Sequence, residues 1–123
     1  MITHIHAATI SVKDQDASIE FYTTVLGWNV TMDTQMGPEM RWVTLSPPGA
    51  QTNIALLPIS VHGPIKDDTG ISLETDDIES DFARLTAAGV KFSSAPELMP
   101  WGDKGVHFWD PDGNQFYLNG PAK

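Results

Sequence analysis

The sequence repeats itself, and the repeat constrains the fold more than any single element does. Asp14, Ile19 and Tyr22 correspond to Asp77, Phe82 and Leu85 at a constant offset of 63 residues, and Pro47-Pro-Gly49 corresponds to Pro111-Asp-Gly113 at an offset of 64. A chain built from two such copies must make the same supersecondary unit twice. Each copy is too small to bury both faces of a sheet, so one face takes a helix and the other is left for a second partner or a ligand.

Within the copies the apolar period changes in the same order. Residues 5–12 alternate, with Ala8, Ile10 and Val12 on one face and Ala7, Thr9 and Ser11 on the other, which predicts a strand. Asp14 is the expected N-cap of a helix whose stripe is Ile19, Tyr22 and Leu26, closed by Gly27. Strands are expected over 28–34, 40–46 and 53–57. In the second copy Ile71, Leu73 and Thr75 oppose Gly70, Ser72 and Glu74. Asp76 is expected to open the second helix, with Glu79 completing a capping box. Ile78, Phe82, Leu85 and Ala88 form that helix's stripe and Gly89 ends it; a short strand from Val90 and a loop over 94–102 follow. The organisation is one domain over residues 1–123: module one 1–60, a breaker-rich linker 58–69, and module two 70–123.

The segment Asp110-Pro-Asp-Gly-Asn-Gln-Phe-Tyr-Leu118 carries the densest local signal. Pro111 presets the second position of a type I turn and Gly113 supplies the left-handed residue after it. Val106-His-Phe-Trp109 and Gln115-Phe-Tyr-Leu118 then form a hairpin pairing Asp110 with Asn114. That register puts His107 opposite Tyr117 and Trp109 opposite Gln115, four side chains on one face.

Bulk properties remove several function classes. The net charge is −9, with seven Lys and Arg, so phosphate backbones and anionic lipid are repelled. Nucleic acid and membrane are therefore not expected partners. The absence of cysteine excludes disulfides and thiolate chemistry. No stretch has the length of a membrane span, and a cytoplasmic location is the default expectation. The faces opposite the helices are small or polar (Ala7, Thr9, Ser11; Gly70, Ser72, Glu74), which leaves room for a ligand.

Together, the β-α-β-β-β repeat, the Val12-Lys-Asp14 entry with Phe21-Tyr22 and Leu26-Gly27-Trp28, the Pro100-Trp-Gly102 loop and the Asp110–Asn114 hairpin resemble the vicinal oxygen chelate superfamily of glyoxalases, bleomycin-resistance proteins and extradiol dioxygenases. The resemblance covers nearly the whole chain. It implies an α+β fold of two tandem modules whose curved mixed sheets enclose a cavity, commonly in a homodimer. Metal-dependent members place a His on the first strand of each module and a Glu on the last. Here those positions hold Ala7 and Gly70, and Tyr117 with either Asn53 or, if the turn is longer, Ala55. No cofactor is therefore expected, although a divalent metal on a non-standard set drawn from His6, Glu74 and His107 is an alternative.

The candidate site follows from the hairpin face. Trp42, Trp101, Trp109 and Tyr117 offer apolar area, and His107 and Gln115 offer orientation. His107 and Glu74 are the candidate proton-transfer groups. Arg41 is a candidate partner for a ligand carboxylate and at least as readily a surface salt-bridge residue, with only one of Arg41 and Trp42 facing the cavity. His4 and His6 read as terminal or structural residues, and His62 as a solvated loop residue. The expected function is binding of a small, partly aromatic molecule, for sequestration or metal-free catalysis. A metal-dependent lyase, isomerase or dioxygenase and a module that kept the fold but lost its pocket are the competing readings.

Overall fold

The structure, a computed structural model, describes residues 1–122. Contacts divide the chain into two units, Met1–Ile65 and a second beginning at Lys66. The first unit contains β1 (Ala7–Val12), α1 (Gln15–Glu20, continued by a π-helical turn over Phe21–Val25), β2 (Asn29–Gln35), β3 (Arg41–Ser46), β4 (Asn53–Pro58) and α2 (Ile59–His62). Its strands form one mixed sheet in the order β1-β4-β3-β2, with β1 and β4 parallel and the other pairs antiparallel. The second unit contains β5 (Ile71–Glu74), α3 (Ile78–Ala87), β6 (Lys91–Phe92), β7 (Glu97–Leu98), β8 (Asp103–Trp109) and β9 (Gln115–Pro121). Its sheet runs β5-β9-β8-β6, with β7 also pairing β8. The mixed α+β architecture and both repeats are those expected.

Asp14 caps α1 by accepting from the amides of Asp16 and Ala17. Inside the first unit, Ile10, Val12, Val43, Leu45, Ile54 and Leu56 line the helix-bearing face and are buried. Tyr22 is fully buried between Phe21 and Trp28, at ring separations of 5.1 and 5.3 Å. Gln15 ties the helix to the sheet: its Nε2 donates to the carbonyls of Arg41 and Leu56, each at 2.8 Å. Arg41 adds a second tie. Its guanidinium grips Asp33 of β2 through two nitrogens at 2.8 Å and reaches Asp16 of α1 at 2.9 Å.

In the second unit Ile78, Leu85, Val90, Val106, Phe108, Phe116 and Leu118 make the buried core. The cap of α3 is Asp77, which accepts from the Ser80 amide at 3.1 Å; the expected capping box opening at Asp76 does not form. Two adjacent aspartates offered the same local signal, and the one in register with Asp14 prevailed. Glu79 instead meets the Lys104 ammonium at 2.8 Å. The stretch expected to be linker holds α2, and the expected 94–102 loop holds β7; both are too short to show a period.

The hairpin forms in the expected register, His107 with Tyr117 and Trp109 with Gln115. Asp110 and Asn114 are buried. The Asp110 carboxylate accepts from the amides of Asp112 and Asn114 and from the Asn114 side chain at 2.8 to 3.0 Å. Gly113 has φ +94°, a conformation few other residues adopt.

Two stability outcomes are expected. Asp77→Ala should lower unfolding free energy by about 1 kcal/mol in urea titrations, and Glu79→Ala by clearly less. If Glu79→Ala costs as much, the cap assignment is wrong. The Arg41 guanidinium holds the Asp33 carboxyl below its ordinary value, so this pair stabilises the fold above that value and the contribution disappears as pH falls through the lowered one. Arg41→Met should therefore cost under about 1 kcal/mol near neutrality, a partly exposed pair being screened, with the difference from wild type closing in acid.

Candidate functional site

The face of the second sheet opposite α3 is set by strand alternation. β8 contributes Asp103, Gly105, His107 and Trp109; β9 contributes Gln115, Tyr117 and Asn119; β5 contributes Ser72 and Glu74. His107 meets Tyr117 edge-on, with ring centroids 5.1 Å apart and planes at 63°. Both rings are half-buried. The His107 backbone is held by Ser93, whose amide donates to its carbonyl at 2.9 Å.

Tyr117 does not stand upright. Its ring lies across β8 where a side chain at position 105 would be: a Cβ built on Gly105 would overlap the phenol oxygen. The hydroxyl is shielded from solvent and has no hydrogen-bond partner. Burial, with a smaller contribution from the Asp103 carboxylate, pushes the phenol above its ordinary value, so it stays neutral at physiological pH. Asn119 completes the face. Its amide nitrogen donates to Glu74 at 2.9 Å and to Asp103 at 3.1 Å, and its oxygen accepts from the Trp101 indole at 3.3 Å. Trp101 remains 62% exposed.

The corresponding face of the first unit is narrower in chemistry. Thr31 bonds the Thr44 hydroxyl at 2.7 Å and the Asn53 side chain at 2.6 Å, while Asn53 donates to the His6 carbonyl. Ser11 lies 2.9 Å from His62 Nδ1, so α2 closes one end of this face and His62 is a bonded residue rather than a free loop side chain. Trp42 points to this side. Arg41 points to the helix side, where Asp33 and Asp16 occupy its guanidinium; that engagement is the reason it is not available in the expected role toward a ligand. A shallow depression of about 380 Å³ is lined by Met36, Gly37, Pro38, Glu39, Met40 and Val61.

Register settles which residues hold the positions where the resemblance places metal ligands. Thr9 pairs with Ala55 as Ser72 pairs with Tyr117, so Ala55, not Asn53, is the equivalent of Tyr117, and the first unit's turn is one residue longer. The positions are thus Ala7, Ala55, Gly70 and Tyr117. Three have no donor atom beyond the backbone and the fourth is a phenol kept protonated, so this set does not fit a divalent ion. Among the described residues no three His, Asp or Glu side chains gather in a metal-holding group. Glu74 and His107 share the β5-β9-β8 face, with Asn119 and Tyr117 on the strand between them. Gly105 was not among the residues expected from sequence. A lone glycine within a strand is the available signal for it, but the strand was expected to begin only at Val106.

The glyoxalase/bleomycin resistance protein/dioxygenase superfamily model matches residues 4–118. A solved member of that superfamily from Sphaerobacter thermophilus is 47% identical, covers 97% of this chain and 98% of its own, and superposes with a TM-score of 0.93. TnmS3, an antibiotic binding protein from Streptomyces sp. CB03234, is 35% identical with 98% of each chain covered and a TM-score of 0.85. The uncharacterized protein YetH of Bacillus subtilis is 34% identical over 119 residues, 96% of this chain and 98% of YetH. No helix among the described residues is long and apolar enough to cross a membrane. By the extent of these matches and by its repeated β-α-β-β-β units, this chain belongs to the glyoxalase/bleomycin resistance protein/dioxygenase superfamily.

Proposed function

We propose that the protein binds a small, partly aromatic organic molecule and sequesters it without changing it. The observation that carries this reading is the His107–Tyr117 ring pair on a helix-free sheet face, flanked by Trp109 and Gln115. Such a face offers aromatic area with a few polar groups to orient a ring system, which is how small-molecule sites are built. The 35% identity to an antibiotic binding protein over nearly the whole chain supports the same class of ligand. Trp101 is a further contributor of apolar area, and His107 and Gln115 are the orienting groups. Sequestration needs affinity alone, and it needs none of the superfamily's metal positions. The reading takes the protein as a homodimer; β2, an edge strand exposed along all seven residues, is the surface that suits a second copy, and light scattering on the full chain tests it.

Calorimetric titration with a panel of aromatic antibiotics is the direct test. At least one should bind and be recovered chemically unchanged. Trp109→Ala and His107→Gln should each weaken it about three- to tenfold, the scale of one ring contact or one hydrogen bond. Failure of the whole panel to bind would sink the proposal. Recovery of an altered ligand, with turnover falling about 10²–10⁴-fold in His107→Gln, would replace it with proton-transfer catalysis in which Glu74 is the second candidate group.

A further inference from the structure

The close approach of Tyr117 to Gly105 is a feature that strand alternation does not require. In register, Tyr117 faces His107 and Gly105 faces Asn119, so the Tyr117 ring has leaned one step along β8 to the diagonal position. It reaches there because Gly105 has no side chain: the phenol oxygen and two ring carbons all fall within 2.9 Å of where a Cβ would sit. Gly105 does not have the positive φ that explains glycine at the turns, so its role here is space rather than backbone freedom. A ring leaned over the strand keeps its edge contact with His107, which stays half-buried. A ring standing upright would project into the face and cover it.

We propose that Gly105 is the specificity-determining position of this face: by letting Tyr117 lie down, it lowers that ring into a platform on which planar fused-ring ligands stack in preference to globular ones of similar volume. The inference rests on the binding role of the β8–β9 face and adds the shape of what is bound. Gly105 acts through Tyr117 and is a positioning residue. The hidden hydroxyl is consistent with this arrangement, since a platform residue needs to present its ring and not its polar end. Because burial penalises the ionised phenol, stability should also fall as pH rises from the ordinary phenol value through the raised one.

The test compares acridone, a neutral planar tricycle, with 1-adamantanol, a globular one, on the full-length protein. Wild type should prefer acridone. Gly105→Ala and Tyr117→Ala should each reduce that preference about three- to tenfold, and Gly105→Ala should add little in a Tyr117→Ala background. Alkaline titration of the phenolate absorbance, read against Tyr117→Phe, should show the Tyr117 phenol returning toward its ordinary value in Gly105→Ala. If Gly105→Ala fails to fold, recovery of folding in the double variant supports the clash, and an unchanged preference in Tyr117→Ala overturns the proposal. An equal loss in both backgrounds also overturns it, because the effect would then be on the backbone. Binding by wild type with no planar preference defeats this inference alone; no binding of either probe or of the antibiotic panel defeats the binding role and this inference with it.

Discussion

The Asp110 carboxylate is the interaction on which the rest of the second unit depends. It is buried, and it accepts from two backbone amides and from Asn114, so three donors that the turn would otherwise strand are satisfied by one side chain. A buried carboxylate left without such donors would be costly, so the turn has one good geometry. That geometry fixes the pairing of β8 with β9. Because side chains alternate with a period of two, a slip of β9 by one residue against β8 would send Gln115 and Tyr117 to the helix side and bring Phe116 out. The aromatic face therefore inherits its composition from a turn at its far end.

The two units use the same scaffold for different surfaces. Thr44 and Ala55 occupy in the first unit the places of His107 and Tyr117 in the second. One face is lined with hydroxyls bonded to each other, the other with rings in edge contact. The acidic groups on the second face are not free charges either. Asn119 spends its two amide protons on Glu74 and Asp103, which quiets two carboxylates that would otherwise repel across a strand. The rest of that face is mostly ring surface, one imidazole and the Gln115 amide.

Features governed by neighbours in sequence were legible before the structure. The Asp110–Asn114 hairpin, the Asp14 cap and the alternation of Ile10 and Val12 against Thr9 and Ser11 are each decided within a few residues. Features decided by distant partners were not. Arg41 reads as either a ligand's partner or a surface salt-bridge residue until Asp16 and Asp33 arrive from two other elements. His62 reads as a loop residue until α2 brings it to Ser11, 51 positions earlier in the chain. Asp76 and Asp77 are indistinguishable as caps by composition, and only the repeat offset favours the second. Gly105 was hidden for a further reason: its importance lies in the rotamer of a tyrosine twelve positions away, which no local pattern encodes.

The extra residue in the first unit's turn carries a lesson about how such duplicated chains change. Between Thr44 and Ala55 the chain is one residue longer than between His107 and Tyr117, yet both pairs stay directly opposite. The added length is absorbed where no strand partner counts it. The same insertion a few positions earlier, inside β3, would have turned every later side chain of that strand to the wrong side. Two copies that began alike can thus diverge freely in turn length while their strands remain locked in phase. Divergence of their surfaces is then left to single substitutions, of the kind that separate Ala55 from Tyr117.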